Sequence, residues 1–302
     1  MSKIDKIVVI CHKGDLWLTK ICVASIRYWY PDREIYLFKD LYGGDFSVAE
    51  LEKYWNVKIL ILDQNKYGSS LSKIALYVQK SRERIIIVDS DILFAGFALD
   101  ALEGIDQDFV INEELHGTSQ SDWFKKTYYD FDGVRKLDPE FTFPGYAFNS
   151  GQVILTSGIF TKKDFSPFMD WSGIPRLLQK DVFSLNDQGL LNYFLPKYEQ
   201  SGKITVGRAK FMHWSEHEPT KTLPLSDIIN KKGIPFMIHW AGTVAPDISK
   251  MTRSDIVSFF QKQYYSRLPL GELRRTAYNG WKKFRYGGTV GFLKRFLRLN
   301  RA

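Results

Sequence analysis

At 302 residues, with 44% hydrophobic and 15% aromatic side chains, the chain is long and apolar enough for one large packed domain, or for a domain with an appendage. No stretch approaches the ~20 apolar residues of a membrane span, and the opening MSKIDKIVVIC carries Asp5 inside an apolar run too short for a signal peptide. The net charge of +8 is unevenly placed: residues 262–302 hold eleven Lys and Arg against one acid, Glu272, a net +10, whereas the preceding 261 residues sum to −2.

In chain order, Lys6 to Cys11 reads as a strand and Asp15 to Tyr30 as a helix, with Asp15 at its start. Strands follow at Glu34–Phe38 and Val57–Leu62, and Ser70 to Lys80 is helical with Ser70 as its cap. Arg84 to Val88 is an apolar, β-branched strand. Such alternation implies a parallel sheet covered by helices on both faces. Beyond Ala95 the pattern loosens. Strands are expected at Asp108–Asn112, at Gly145–Thr156 with an interruption at Asn149-Ser150-Gly151, and at Pro235–Trp240, with a helix inside Leu185–Tyr198. The expected class is α/β, a Rossmann-like mixed sheet flanked by helices. Cys11 and Cys22 stand at neither a metal-type nor a redox-type spacing, which points to a reducing compartment.

Four segments carry chemistry. RIIIVDSDILF ends its strand in Asp89-Ser90-Asp91. Positions two apart on an extended chain point the same way. Two carboxylates at the mouth of a buried strand repel each other and are costly to desolvate. A hard divalent cation removes both costs, and carboxylate oxygens suit Mn²⁺ or Mg²⁺. The alternative is two solvated aspartates in a turn. In GYAFNSGQVIL, Gly151 lets backbone approach a ligand closely. In LNDQGLLNYF, Asp187 and Gln188 open a helix, where they either bond sugar hydroxyls or, with Asn186, serve as its cap. In FMIHWAGT, His239 is either a ligand suited to Mn²⁺ or a packed, hydrogen-bonded residue, and Gly242 follows three residues later.

Taken in order, VDSD, FNSG, NDQG and HWAG resemble the motifs of GT-A fold glycosyltransferases, most closely glycosyltransferase family 8, over roughly Lys6 to Pro246. The resemblance implies a sugar transfer from a nucleotide diphosphate donor, a UDP-sugar, to a glycan or lipid-linked acceptor, with retention of configuration. It also implies residue roles. Asp89, Asp91 and His239 would hold Mn²⁺ or Mg²⁺ against the donor diphosphate. Asn149 and Ser150 would line the donor sugar site, Asp187 would bind sugar hydroxyls, and Gln188 would sit near the anomeric carbon. Lys73, Ser90 and Gly242 would lie against the donor. His12 to Asp15 would touch the base or ribose, unless Asp15 is only a helix cap.

Three positions depart from the family pattern. Gly189 stands where a carboxylate is usual, Ala245 where a lysine is usual, and Trp240 where Phe is usual. Lys250 and Arg253 are the nearest basic residues to Ala245. No nucleophile stands out. Asp130, Asp132 and Glu140 have no assigned place, while Glu113 and Glu114 are acceptor-side candidates or surface charge. Two other classes fit parts of the pattern. HAD-type phosphatases also end a strand in Asp-x-Asp, but continue Gly-Thr where this chain has Ile92-Leu93. An inactive sugar-nucleotide binding module would tolerate the missing lysine.

Residues 1–248 are expected to form the transferase domain and 249–302 a basic, amphipathic helical extension. From Val290 to Arg301, Phe292, Leu293, Phe296 and Leu297 fall on one helical face and Lys294, Arg295, Arg298 and Arg301 on the other. Upstream, WKKFR adds an aromatic-basic patch, with a break at Tyr286-Gly287-Gly288. An organised apolar face with flanking cations suits an anionic membrane surface better than nucleic acid, and no nucleic-acid partner is expected. The expected location is cytoplasmic, peripheral on the inner face of the membrane.

Overall fold

The structure is a computed structural model and describes residues 3–68, 71–114, 121–242, 244–245 and 247–287. The first half alternates as its periodicity predicts. Strand β1 (Lys6–His12) leads through a 3₁₀ turn (Lys13–Asp15) into α1 (Leu16–Trp29), then β2 (Ile35–Asp40), α2 (Ala49–Trp55) and β3 (Val57–Leu60). The helix expected to Lys80 is shorter. A 3₁₀ turn at Leu71–Lys73 and α3 (Ile74–Tyr77) complete it, and Ser70 lies outside the described residues. Next come β4 (Arg84–Val88), β5 (Ile92–Phe94) and β6 (Phe109–Glu114), then α4 (Asp122–Thr127), α5 (Phe131–Leu137) and β7 (Ala147–Thr156). After α6 (Lys162–Phe165), β8 (Met169–Asp170) and β9 (Arg176–Leu177) pair as a small ribbon. The chain continues with α7 (Asp187–Gln200), β10 (Val206–Ala209), β11 (Met212–Trp214), α8 (Leu225–Ile229), β12 (Met237–His239), α9 (Ser254–Ser266) and α10 (Gly271–Gly287).

Seven strands form the main sheet in the order β10-β6-β7-β4-β1-β2-β3. β1 to β4 pair in parallel, as expected, and β7 enters antiparallel between β4 and β6. The interruption expected at Asn149-Ser150-Gly151 appears on one edge of β7: its pairing with β6 jumps from Val153 to Phe148 while β6 advances only from Ile111 to Glu113, so residues 149–152 bulge away from β6. β7 nevertheless continues through them as one strand, Gln152 pairing with Val88 and the Gly151 carbonyl accepting from the Asp89 N–H. Both faces of the sheet are buried. One core gathers α1, α2 and α9 with Val9, Ile86 and Val88, and the other gathers Val8, Ile87 and Val153 with α7. Adjacent positions of one strand thus serve opposite cores, as the two-residue period requires.

A second sheet, β11-β12-β5, positions the site. β5 leaves the main sheet right after the acidic pair, and α1 satisfies its backbone. Ser25 Oγ accepts from the Phe94 N–H at 3.0 Å, and Trp29 Nε1 donates to the Phe94 carbonyl at 2.9 Å. α9 packs on α1 and buries Ile256, Val257, Phe260 and Tyr264 in the first core. α10 continues through Tyr286 and Gly287, where a break was expected, and the face from Val290 to Arg301 lies outside the described residues. Among the described residues no helix is long and apolar enough to cross a membrane.

Candidate functional site

β4 is buried along its whole length and ends where the chain turns from one sheet to the other. The Ile92 N–H closes a turn on the Asp89 carbonyl at 3.2 Å, and the Asp89 N–H donates to Gly151 on β7 at 2.8 Å. Asp89 and Asp91 therefore converge through a turn, and strand alternation is not what aligns them. β12 pairs antiparallel to β5 with His239 opposite Ile92, and the Trp240 N–H donates to the Asp91 carbonyl at 3.1 Å. That register brings His239 Nε2 to 3.2 Å from Asp91 Oδ1.

One ligand atom from each of Asp89, Asp91 and His239 lies within 4.8 Å of the others. Two carboxylates and an imidazole make a donor set for Mn²⁺ or Mg²⁺. Buried His239 stacks on Trp214 at 5.1 Å, and its Nδ1 has no hydrogen-bond partner among the described residues. Gly151 leaves the centre open. A Cβ there would lie 2.7 Å from His239 Cε1 and 2.9 Å from Asp89 Oδ2. The residues present fit a divalent cation.

Lys73 is the positive partner already in place. Its buried ammonium lies 2.8 Å from Asp89 Oδ2, 3.3 Å from Asp187 Oδ2 and 3.4 Å from Ser150 Oγ. Burial alone would lower its pKa, but Asp187 and Asp89 outweigh that and raise it above the ordinary lysine value. Burial pushes Asp89 up to about 6, with Lys73 opposing and Asp91 adding to the rise. Burial also acts on Asp91, but His239 dominates and holds its carboxyl below the usual range.

α7 is docked so that its first turn meets this cluster. Asn192 mimics a strand partner, accepting from the Phe148 N–H at 2.9 Å and donating to the Phe148 carbonyl at 2.8 Å. Gln188 Oε1 accepts from Asn149 Nδ2 at 2.9 Å, and Gln188 Nε2 donates to the Thr127 carbonyl at 3.0 Å. Asp187 makes an ion pair, and Asn186 makes no side-chain cap bond, so the capping alternative falls away. Gly189 is explained by space. A Cβ would lie 2.2 Å from the Tyr128 carbonyl oxygen and 2.5 Å from that of Ser184, so no side chain fits in this backbone.

Two cavities, of about 770 and 440 Å³, share Lys73, Asp89, Asp91 and Gly242 as common lining. Asn149, Ser150, Asp187, Gln188 and His239 line the larger, and His12, Asp15 and Ser90 line the smaller. His12 Nδ1 lies 3.7 Å from Asp40 Oδ2, and burial raises the Asp15 pKa, with Asp91 adding to it against His12. Asp15 makes no side-chain cap bond to α1. All twelve expected site residues thus line one two-lobed cleft.

Sequence reasoning missed much of the larger lobe: Trp123, Thr127, Tyr128, Leu185, Trp214 and Glu216. Leu185 and Asn186 both adopt positive φ, at 51° and 54°, a conformation that costs energy in a non-glycine residue. Glu114 lines this lobe and accepts from Tyr128 Oη at 3.0 Å, whereas Glu113 does not line it. Asp130 pairs with Lys125 at 2.9 Å, away from the cleft. Ala245 packs against the first core. Lys250 is exposed, and Arg253 is bound to Asp255 and to the carbonyls of Thr220 and Leu223, so neither replaces the family lysine in this arrangement.

No protein-family model matches the chain, and no curated protein sequence does. Solved structures do match. The bifunctional glycosyltransferase WbbM, in its apo form, aligns with a TM-score of 0.56 and 14% identity over 88% of this chain and 52% of its own. The glycosyltransferase GlyE of Streptococcus pneumoniae TIGR4, also apo, aligns with a TM-score of 0.50 and 11% identity over 92% of this chain and 63% of its own. The galactosyltransferase LgtC, solved with donor and acceptor sugar analogs, aligns at 0.48 and 15% identity over 89% of this chain and 99% of its own. The chain spans about half the length of WbbM. At such identities the likeness is one of architecture, and the chain has the GT-A glycosyltransferase fold.

Proposed function

We propose that the protein is a metal-dependent glycosyltransferase that moves a sugar from a UDP-sugar to a glycan or lipid-linked acceptor. The observation that carries this reading is the meeting of Asp89, Asp91, His239, Lys73 and Asp187 where the two lobes join. The smaller lobe, with His12 and Asp15, suits a nucleoside. The larger has room for the donor sugar and an acceptor, and its Trp123 and Trp214 offer faces on which a sugar ring can stack.

Asp89, Asp91 and His239 would hold Mn²⁺ or Mg²⁺, which when bound supplies charge stabilisation to a departing diphosphate. Lys73 adds a fixed positive charge beside it and holds Asp89 and Asp187 in place through its two ion pairs. Asp187 would take the donor-sugar hydroxyls. Gln188 has both ends of its amide engaged, so it positions the sugar and does not attack it. Retention then follows from front-face attack, the acceptor proton passing to a donor phosphate oxygen. Glu114 and Glu216 line the same lobe and would face the acceptor.

The solved structures sharing this architecture support a transferase over the HAD-type phosphatase alternative. The basic segment after residue 262 supports association with an anionic membrane surface, and with it a peripheral, cytoplasmic location. Thermal-shift titration tests the donor assignment. UDP with Mn²⁺ should raise the melting temperature more than ADP or GDP with Mn²⁺, increasingly with concentration. Equal shifts from all three would overturn the uridine preference.

A further inference from the structure

β11 lies beside β12 in parallel, and the register sets Trp214 directly against His239. Neighbouring strands run about 4.8 Å apart, so side chains at matched positions on one face touch. The Ser215 N–H donates to the His239 carbonyl at 3.0 Å and fixes the register at the pair itself. The result is a stack. The indole and imidazole centres lie 5.1 Å apart with their planes 19° from parallel, the arrangement of an offset aromatic pair.

A histidine that ligates a metal through one ring nitrogen is ordinarily oriented through the other, which donates to a carboxylate, a backbone carbonyl or water. His239 turns Nε2 to Asp91 Oδ1 at 3.2 Å, and its Nδ1 has no hydrogen-bond partner among the described residues. The backbone bonds at Ser215 and Trp240 place the His239 main chain but leave its side-chain torsions to packing. Two contacts supply that packing. Trp214 covers one face of the ring, and Gly151 backs its edge, where a Cβ would lie 2.7 Å from Cε1. His239 is buried, whereas Trp214 is half-buried and lines the larger lobe.

We propose that Trp214 is a positioning residue for the metal centre. Its indole face takes the part that a hydrogen bond to Nδ1 ordinarily plays, and holds His239 in the rotamer that converges on Asp89 and Asp91. The inference rests on the metal reading of that cluster and goes beyond it, because the same indole lines the lobe proposed for the sugars. One side chain thereby joins the third ligand of the cation to the sugar-binding surface.

Mn²⁺ affinity of the full chain tests it, read from the electron paramagnetic resonance of free Mn²⁺ with no nucleotide present. Trp214→Leu removes the stacking face and should weaken Mn²⁺ binding about tenfold, as losing an orienting partner does at a metal site. Trp214→Phe keeps an aromatic face and should hold Mn²⁺ within about threefold of the wild type. Leu and Phe leave similar gaps in the packing, so the two variants should lose similar thermal stability and differ in metal affinity alone. His213→Leu removes a ring from the same strand, one that meets Phe236 at 4.6 Å and lines neither lobe. As the neighbour on the opposite face of β11, it should change Mn²⁺ affinity less than about twofold. Wild-type affinity in Trp214→Leu would overturn the inference, since the backbone alone would then orient His239. A Phe variant as weak as the Leu variant would mean that the aromatic face does not hold the ring. A His213→Leu loss equal to that of Trp214→Leu would reduce the effect to the packing of β11. A wild-type chain that fails to bind Mn²⁺ would overturn the metal reading and this inference with it.

Discussion

Lys73 shows how a single buried side chain sets the character of the cleft. It is the cation between Asp89 and Asp187, and no apolar substitute can serve both. Lys73→Met should cost about 3–5 kcal/mol by leaving buried carboxylates without their partner. Denaturant unfolding would measure it, and a loss below about 1 kcal/mol would mean that water already screens the cluster. Gly189 carries a second lesson. The sequence suggests a lost sugar-binding carboxylate, but the structure shows a close backbone crossing that no sequence pattern reveals. Gly189→Ala should destabilise by at least about 1–3 kcal/mol through overpacking against rigid carbonyls. The cysteines are a simpler case. Burial pushes Cys11 up to about 12 and Cys22 well above the ordinary thiol value. Both should resist iodoacetamide at neutral pH in the folded protein and react only on unfolding, as mass spectrometry would report.

Among the elements, the front strands were legible because β1 to β4 are runs of branched apolar residues bounded by turns. β5, β10 and β11 were not: strands of three or four residues carry too few side chains to show a period, and these three lack the longer apolar runs, VKILIL and PFMIHW, that mark the equally short β3 and β12. The candidate site was legible as four motifs, yet its assembly depends on those short strands. His239 reaches Asp91 only because β12 pairs with β5 outside the main sheet. The cleft's aromatic wall was hidden for the same reason, Trp214 being the last residue of β11. β7 contributes by what it lacks at Gly151. Gly151→Ala should weaken Mn²⁺ binding about tenfold or more while circular dichroism keeps its native form, because the added methyl meets His239 and Asp89 and displaces the ligands. Unchanged Mn²⁺ affinity would mean that the cation sits elsewhere.

On the scale of the whole molecule, charge and packing divide the chain at different places. The basic segment begins near residue 262, inside α9, yet α9 places Ile256, Val257, Phe260 and Tyr264 in the first core. Charge is visible in composition, whereas burial of an amphipathic helix depends on the partner it meets, here α1. A chain ending after Leu268 should fold, because α10 has mainly exposed side chains. A chain ending before Ser254 should not. Each large apolar side chain removed costs roughly 2–5 kcal/mol, and four exhaust a total of about 5–15 kcal/mol. Cooperative thermal unfolding of the shorter chain would contradict this. The most direct test of the whole account is turnover of radiolabelled UDP-glucose and UDP-galactose by the full chain, with and without Mn²⁺, beside Asp91→Asn. The account predicts UDP release that requires the metal, stops with chelator, and falls by at least about a hundredfold in Asp91→Asn while the variant keeps its native fold. Turnover that survives chelation, or an Asp91→Asn protein with most of the wild-type rate, would contradict it. So would a wild-type chain that binds UDP and Mn²⁺ yet turns over no donor.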